Sequence, residues 1–406
     1  MRRRGPVTLR VVVVGNGIAG VTAAQEIRRM DPDCEVHVVG REPHPLYNRM
    51  GISRVVYGRS AMAGLFLLAE DWYERHDITC WLNTRAVGID LAGRTVALGT
   101  GEQVAFDRLI LATGARADVP AIPGVAMPGC FALRDADDAV RIRAYVQEHR
   151  ATRAVVVGAG PLAVEGAYAL HELGLKVSIV VRGPAVLRRY VDERSAQLLT
   201  SYLRARGIAL VPGAAMAAIH GPDRVRVATL ADGRQMPTDL VLLAIGATPE
   251  ADLARAAGVA VRHGIVVDDE LRTSSAGVYA AGDCAEVRGE VSGLWPAAVA
   301  QATAAAANAL GEHQTVPGTA TPMLLKGIGL DLVSVGRVHP AAGDAVLTHE
   351  DPDRYAYGRL VVSDGRVAGA VLLNLPREAP AIVTAVRGGA PSRGLEALRS
   401  THWRTA

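Results

Sequence analysis

At 406 residues the chain is too long for one ordinary domain, and two or three are expected. Half of it is hydrophobic and 21% is charged, which excludes a disordered chain. With 44 basic residues against 41 acidic ones, charge gives no support to a nucleic-acid or membrane function.

Aromatics are only 4%, so the core must be aliphatic and alanine-packed. The 43 glycines exceed the usual share of about 7% and suggest close backbone approaches, as around bound nucleotides. Lys176 and Lys326 are the sole lysines, so the basic charge is nearly all arginine, a bias that codon usage explains in the main. The apolar run after the basic start covers only Val11 to Val14 before a glycine cluster. It reads as a strand rather than a signal peptide or a membrane span, and a cytoplasmic protein is expected. Cys34, Cys80, Cys130 and Cys284 form no C-x-x-C or C-x4-C pair, so four reduced thiols are expected, with no disulfide framework and no metal site.

In chain order, residues 10–20 read RVVVVGNGIAG and residues 153–163 read RAVVVGAGPLA. Each is a β-branched run, then glycines, then an alanine-rich helical stretch. Each unit closes about 90–100 residues later with a D-x4-A-x-G strand, DRLILATGA from Asp107 and DLVLLAIGA from Asp239. The duplication predicts two nucleotide-binding α/β domains. In the first turn, Gly15 allows the tight bend, Gly17 lets backbone approach a pyrophosphate, and Gly20 lets helix pack on strand. Residues 276–284, AGVYAAGDC, read as a strand ending in an aspartate. Residues 295–311 read as an alanine-rich helix stopped at Gly311. Pro317 and Gly318 mark a boundary, and a last segment follows. It carries the strand runs LDLVSVGRV and GRLVVSDGRVAGAVLL, a hairpin signal at Asp364-Gly365, and a tail of helical pieces in APAIVTAVRGGAPSRGLEALRS.

The two glycine motifs, the strand ending Ala112-Thr113-Gly114 and the AAGD ending at Asp283 together resemble the two-dinucleotide flavoprotein reductases, which carry FAD and use NADH or NADPH. The resemblance implies two Rossmann-like α/β domains, the nicotinamide domain inserted in the FAD domain, plus a C-terminal α+β domain. Its boundaries fall at 1–118 and 248–318 for FAD, 119–247 for NAD(P)H, and 319–406 for the last domain. EPHPLYNRMGISR and TPMLLKGIGLDLVSVGRV are similar to the ferredoxin/rubredoxin reductase and nitrite-reductase flavoprotein branch. Where other branches carry a C-x4-C pair or one cysteine, this chain has Asn48, Arg49, Met50 and Gly51, so thiol chemistry lacks its reactive atom. Cys284 is expected to be structural.

The resemblance assigns FAD to Gly15, Gly17, Ala19 and Gly20, to Thr113 and Gly114, and to Gly282 and Asp283, with Asp283 on the ribityl chain. Glu42 is the candidate for the ribose, since Arg41 departs from the usual acid, although which of the two faces it is left open. Arg49 resembles a flavin-diphosphate contact, and Trp295 and Pro296 a wall near the isoalloxazine. The nicotinamide nucleotide falls to Gly158, Gly160 and Ala163, with Gly246 in the second D-x4-A-x-G strand. Val181 stands where an NADH site would carry an acid, and Arg182 follows. Arg182 and Arg188 resemble the phosphate clamp of glutathione reductases, so NADPH is favoured over NADH. Pro161 replaces an aromatic gate and implies a more open nicotinamide pocket.

The implied reaction is hydride transfer from NADPH to flavin N5, with Arg54 and Glu165 pairing near N5 to stabilise the reduced flavin's charge. A small iron-sulfur or rubredoxin-type carrier is the expected acceptor and partner. Direct reduction of oxygen or a small molecule, or a non-catalytic nucleotide-sensing role, are the alternatives. The expected state is a monomer or homodimer.

Overall fold

Val11, Val12 and Val13 are fully buried, as a continuous valine run demands of a strand covered on both faces. The strand they belong to, Arg10–Val14, lies at the centre of a five-stranded parallel sheet. Across that sheet run Val278–Ala280, Arg108–Leu111, Arg10–Val14, Glu35–Val39 and Ile78–Trp81. This computed structural model describes residues 8–316, 318, 320–392 and 403–405. Pro317 of the predicted boundary, and the predicted tail helix beyond Ser392, lie outside the described residues. The described residues divide between two compact units. The first draws on Met1–Asn48, Leu65–Arg116 and Ala247–Gly318, the second on Arg49–Gly64, Ala117–Gly246 and Thr319–Ala406.

In the first unit the helices Ile18–Met30 and Trp295–Ala309 pack against each other beside the parallel sheet. The alanines of the second helix, from Ala302 to Ala309, let it approach closely. The strands Ala86–Asp90, Thr95–Leu98 and Gln103–Ala105 form a small antiparallel sheet.

In the second unit a parallel sheet orders Ala209–Pro212, Lys176–Val181, Arg153–Val157, Leu240–Leu243 and Cys130–Ala132. A three-stranded antiparallel sheet, Met216–His220, Val227–Leu230 and Gln235–Pro237, belongs to the same unit. The helices Ile52–Val56, Ala136–His149 and Pro161–Glu172 pack together there. The C-terminal sheet, Met323–Leu325, Leu332–Gly336, Arg366–Leu373, Ala356–Ser363, Ala345–Asp351 and Arg404–Thr405, all antiparallel, belongs to the same unit. The helix Ala379–Gly388 packs on it. The strands Ala356–Ser363 and Arg366–Leu373 pair from Ser363 and Arg366 outward, closing a hairpin on Asp364 and Gly365, both at positive φ.

The two opening aspartates of the repeat do the same work. Asp107 accepts from the Arg10 backbone N–H at 2.9 Å, and Asp239 accepts from the N–H groups of Thr152 and Arg153 at 2.9 and 3.1 Å. Each therefore pins the start of the strand that leads into its glycine turn. Burial works against ionisation at both, but these donors and the neighbouring arginines outweigh it and hold both carboxyls below their ordinary range. Among the described residues, no helix is long and apolar enough to cross a membrane.

Candidate cofactor sites

The two glycine turns are built alike. Gly15 follows Val14 at φ +125°, and a Cβ there would lie 2.0 Å from the Ala112 carbonyl oxygen. Gly158 follows Val157 at φ +146°, and its Cβ would lie 2.1 Å from the Ala244 oxygen. Only glycine fits either position. Gly17 and Gly160 are the N-caps of the helices Ile18–Met30 and Pro161–Glu172, and neither offers a side chain to cap them. A Cβ at Gly17 or Gly160 would touch nothing within 4 Å. Uncapped first-turn N–H groups beside open backbone are what a pyrophosphate requires, so both turns fit the group. Gly20 packs its helix onto the turn, since a Cβ there would meet the Gly15 oxygen at 1.7 Å. Pro161 takes the first helical position, where its missing N–H costs nothing.

Around the first turn, Ala19 is buried, and a Cβ on Gly282 would approach the Ala19 Cβ to 2.9 Å. The Gly282 N–H donates to Gln301 Oε1 at 2.8 Å, which fixes the turn carrying Asp283. Gln301 is a buried polar residue in an alanine helix, a signal that could have marked it in the sequence. Cys284, fully buried, donates to the Leu111 oxygen at 3.3 Å. Tyr47 donates its hydroxyl to Glu42 Oε2 at 2.6 Å, whereas the exposed Arg41 reaches Glu250 Oε1 at 3.5 Å. Glu42 is the half-buried member of the two. The Thr113 hydroxyl donates to the Glu250 carbonyl at 2.5 Å, and Gly114 has φ +75°. Trp295 and Pro296 form the first turn of their helix and are half-buried.

The remaining candidates belong to the second unit. Ala163 is fully buried behind Gly158. Val181, 1% exposed, ends the strand Lys176–Val181, and Arg182 beyond it is exposed. Arg188 lines a cavity of about 670 Å³ along the helix Glu193–Ala205. Gly246 sits at φ +143° and accepts from the Asp118 N–H at 3.0 Å. Arg49 donates to the Arg134 carbonyl at 3.4 Å. Arg54, on the short helix Ile52–Val56, and Glu165, on Pro161–Glu172, come within electrostatic reach of each other. Burial pushes the Glu165 carboxyl up to about 8, against the opposing pull of the Lys326 backbone N–H and the Arg54 charge. Lys326 is a partner that sequence reading did not name.

None of the four cysteines is in a disulfide. Burial raises every thiol, Cys34 and Cys80 to about 12, Cys130 to about 11, and Cys284 likewise upward.

Residues 9–302 match the family model described as pyridine nucleotide-disulphide oxidoreductase. The chain belongs to that family. Members of the pyridine nucleotide-disulphide oxidoreductases bind FAD and NAD(P)H, and this member is an oxidoreductase of that kind. Residues 322–390 match a rubredoxin NAD+ reductase C-terminal domain. The chain is 32% identical over 382 residues to the ferredoxin reductase component of chlorobenzene dioxygenase from Cupriavidus, covering 91% of this chain and 90% of that protein. It is 30% identical to the electron transfer subunit of the assimilatory nitrate reductase of Bacillus subtilis, covering 91% of this chain. It spans about half of that relative's length, 48%. A ferredoxin reductase structure from Rhodopseudomonas palustris superposes with a TM-score of 0.86 at 25% identity, covering 96% of this chain and 99% of that one.

Proposed function

We propose that the protein takes reducing equivalents from NADPH and passes them to a small ferredoxin- or rubredoxin-type carrier without a thiol intermediate. The observation that carries this is the state of its cysteines. In a family named for disulphide chemistry, Asn48 to Gly51 contain no cysteine, and every thiol, buried at Cys34 and Cys284 and half-buried at Cys80 and Cys130, is pushed toward its protonated form. The likeness to ferredoxin reductases supports a carrier as the outlet.

Bound FAD would supply the conversion of a two-electron hydride donor into two single-electron transfers, with the proton going to solvent, chemistry that belongs to the cofactor. The chain's residues bind and orient. Gly15, Gly17 and Gly20, with Ala19, hold the FAD pyrophosphate at a helix N-terminus. Glu42, buttressed by Tyr47, takes ribose hydroxyls, and Asp283 takes the ribityl chain. Gly158, Gly160 and Ala163 hold the nicotinamide nucleotide's pyrophosphate. Arg182 and Arg188 bind its 2′-phosphate, which an acid at position 181 would repel. Arg54 supplies positive charge to the reduced flavin, while Glu165 holds a proton on its carboxyl at neutral pH. Alkylating the native holoenzyme with iodoacetamide should leave NADPH-driven ferricyanide reduction unchanged; stoichiometric inactivation at one cysteine would overturn the thiol-free route.

A further inference from the structure

Within the second unit, the cavity beside the helix Glu193–Ala205 has more donors than the protein itself satisfies. Three guanidiniums line it from three different elements: Arg188 on the loop before the helix, Arg204 in its last turn, and Arg359 on the strand Ala356–Ser363. His339 lines it too, as do the hydroxyl residues Thr200 and Ser201. The acids in the wall are Asp192 and Glu193. Asp192, 2% exposed, is already committed to its own helix and sheet. It accepts from the N–H groups of Arg194 and Ser195 at 3.0 and 3.3 Å, from Ser195 Oγ at 2.7 Å, and from the Tyr357 hydroxyl at 3.3 Å. Arg359 Nη1 lies 3.6 Å from it. Glu193 accepts from Gln197 Nε2 at 3.4 Å.

That leaves donors over. Arg359 Nε is buried with no hydrogen-bond partner. Among the described residues, neither Arg188 nor Arg204 makes an ion pair or a side-chain hydrogen bond. Arg188 and Arg204 are exposed, so Arg359 Nε is the buried donor left without an acceptor, and three separated forks around one space suit a ligand with more than one anionic group. At about 670 Å³ the cavity is of small-molecule size.

We propose that this cavity binds a small, multiply charged oxyanion, held between Arg204 and Arg359 with Arg188 at its mouth. The site shares Arg188 with the NADPH reading but does not rest on it, because Arg204, Arg359 and His339 have no part in that reading. The test is calorimetric titration of the FAD-loaded protein with inorganic pyrophosphate and, separately, with citrate. Tighter binding of one probe tells a phosphate-bearing ligand from a carboxylate-bearing one. One-to-one binding at about 1 mM or tighter is expected for at least one probe. It should weaken tenfold or more in Arg204→Gln and in His339→Ala, both surface changes, and stay unchanged in Arg182→Ala. Arg204→Gln should keep the basal rate of NADPH-driven ferricyanide reduction. Absence of binding by both probes would overturn the proposal. So would binding lost in Arg182→Ala and kept in Arg204→Gln, which would move the anion to the nucleotide's own phosphate position.

Discussion

Just past the strand Met323–Leu325 of the C-terminal sheet, the backbone N–H of Lys326 pulls on the carboxyl of Glu165, on the helix that opens at Gly160. Even with that donor and the Arg54 charge, burial holds the carboxyl at about 8 instead of the ordinary 4.5. The folded protein thus keeps a proton that the unfolded chain gives up above pH 4.5. The stability that Glu165 contributes falls as pH rises from there to about 8, and levels off beyond it. Glu165→Gln keeps the shape and removes the titration. Its melting temperature should gain on the parent's across that window and run parallel above it. Equal pH slopes for the two proteins would show that the Glu165 proton is not held by the fold.

The glycine turns give a sharper contrast. A Cβ at Gly15 would overlap the Ala112 oxygen at 2.0 Å in a backbone at φ +125°, so Gly15→Ala should fail to fold or melt far lower. A Cβ at Gly17 meets nothing within 4 Å, so Gly17→Ala should keep the parent's stability to within about 1 kcal/mol by urea unfolding of the flavin-free protein. It should nevertheless lose FAD, read as flavin released on gel filtration. Retained flavin in Gly17→Ala would break the assignment of this turn to the pyrophosphate.

The strand-to-helix turns were legible in the sequence because both requirements are local: a β-branched run that must be buried, and a bend that a side chain would block. The hairpin at Asp364-Gly365 was legible for the same reason. What could not be read depends on partners far apart in the chain. Arg41 meets Glu250, 209 residues on, and nothing in the segment around Arg41 announces that. Residues 49–64 read as a continuation of the first glycine unit, yet their helix Ile52–Val56 packs on Ala136–His149 and Pro161–Glu172 and so joins the second unit. The Asp192 cluster joins a helix cap to a strand 165 residues away through Tyr357, a contact that only the tertiary fold creates.

Nucleotide choice is tested at Arg182, exposed just beyond the buried Val181. Removing one charged fork from a phosphate costs about 1.4 kcal/mol or more, a factor of ten. Arg182→Ala should therefore lower kcat/KM for NADPH at least tenfold and change that for NADH little. An equal fall with both nucleotides would assign Arg182 a role unrelated to the 2′-phosphate.

The central claim, that electrons leave through a protein carrier, is tested by NADPH-driven cytochrome c reduction by the holoenzyme with and without added ferredoxin or rubredoxin. The account predicts strong stimulation by one carrier, with little peroxide formed. A rate that neither carrier raises, with NADPH consumption matched by peroxide, would contradict it.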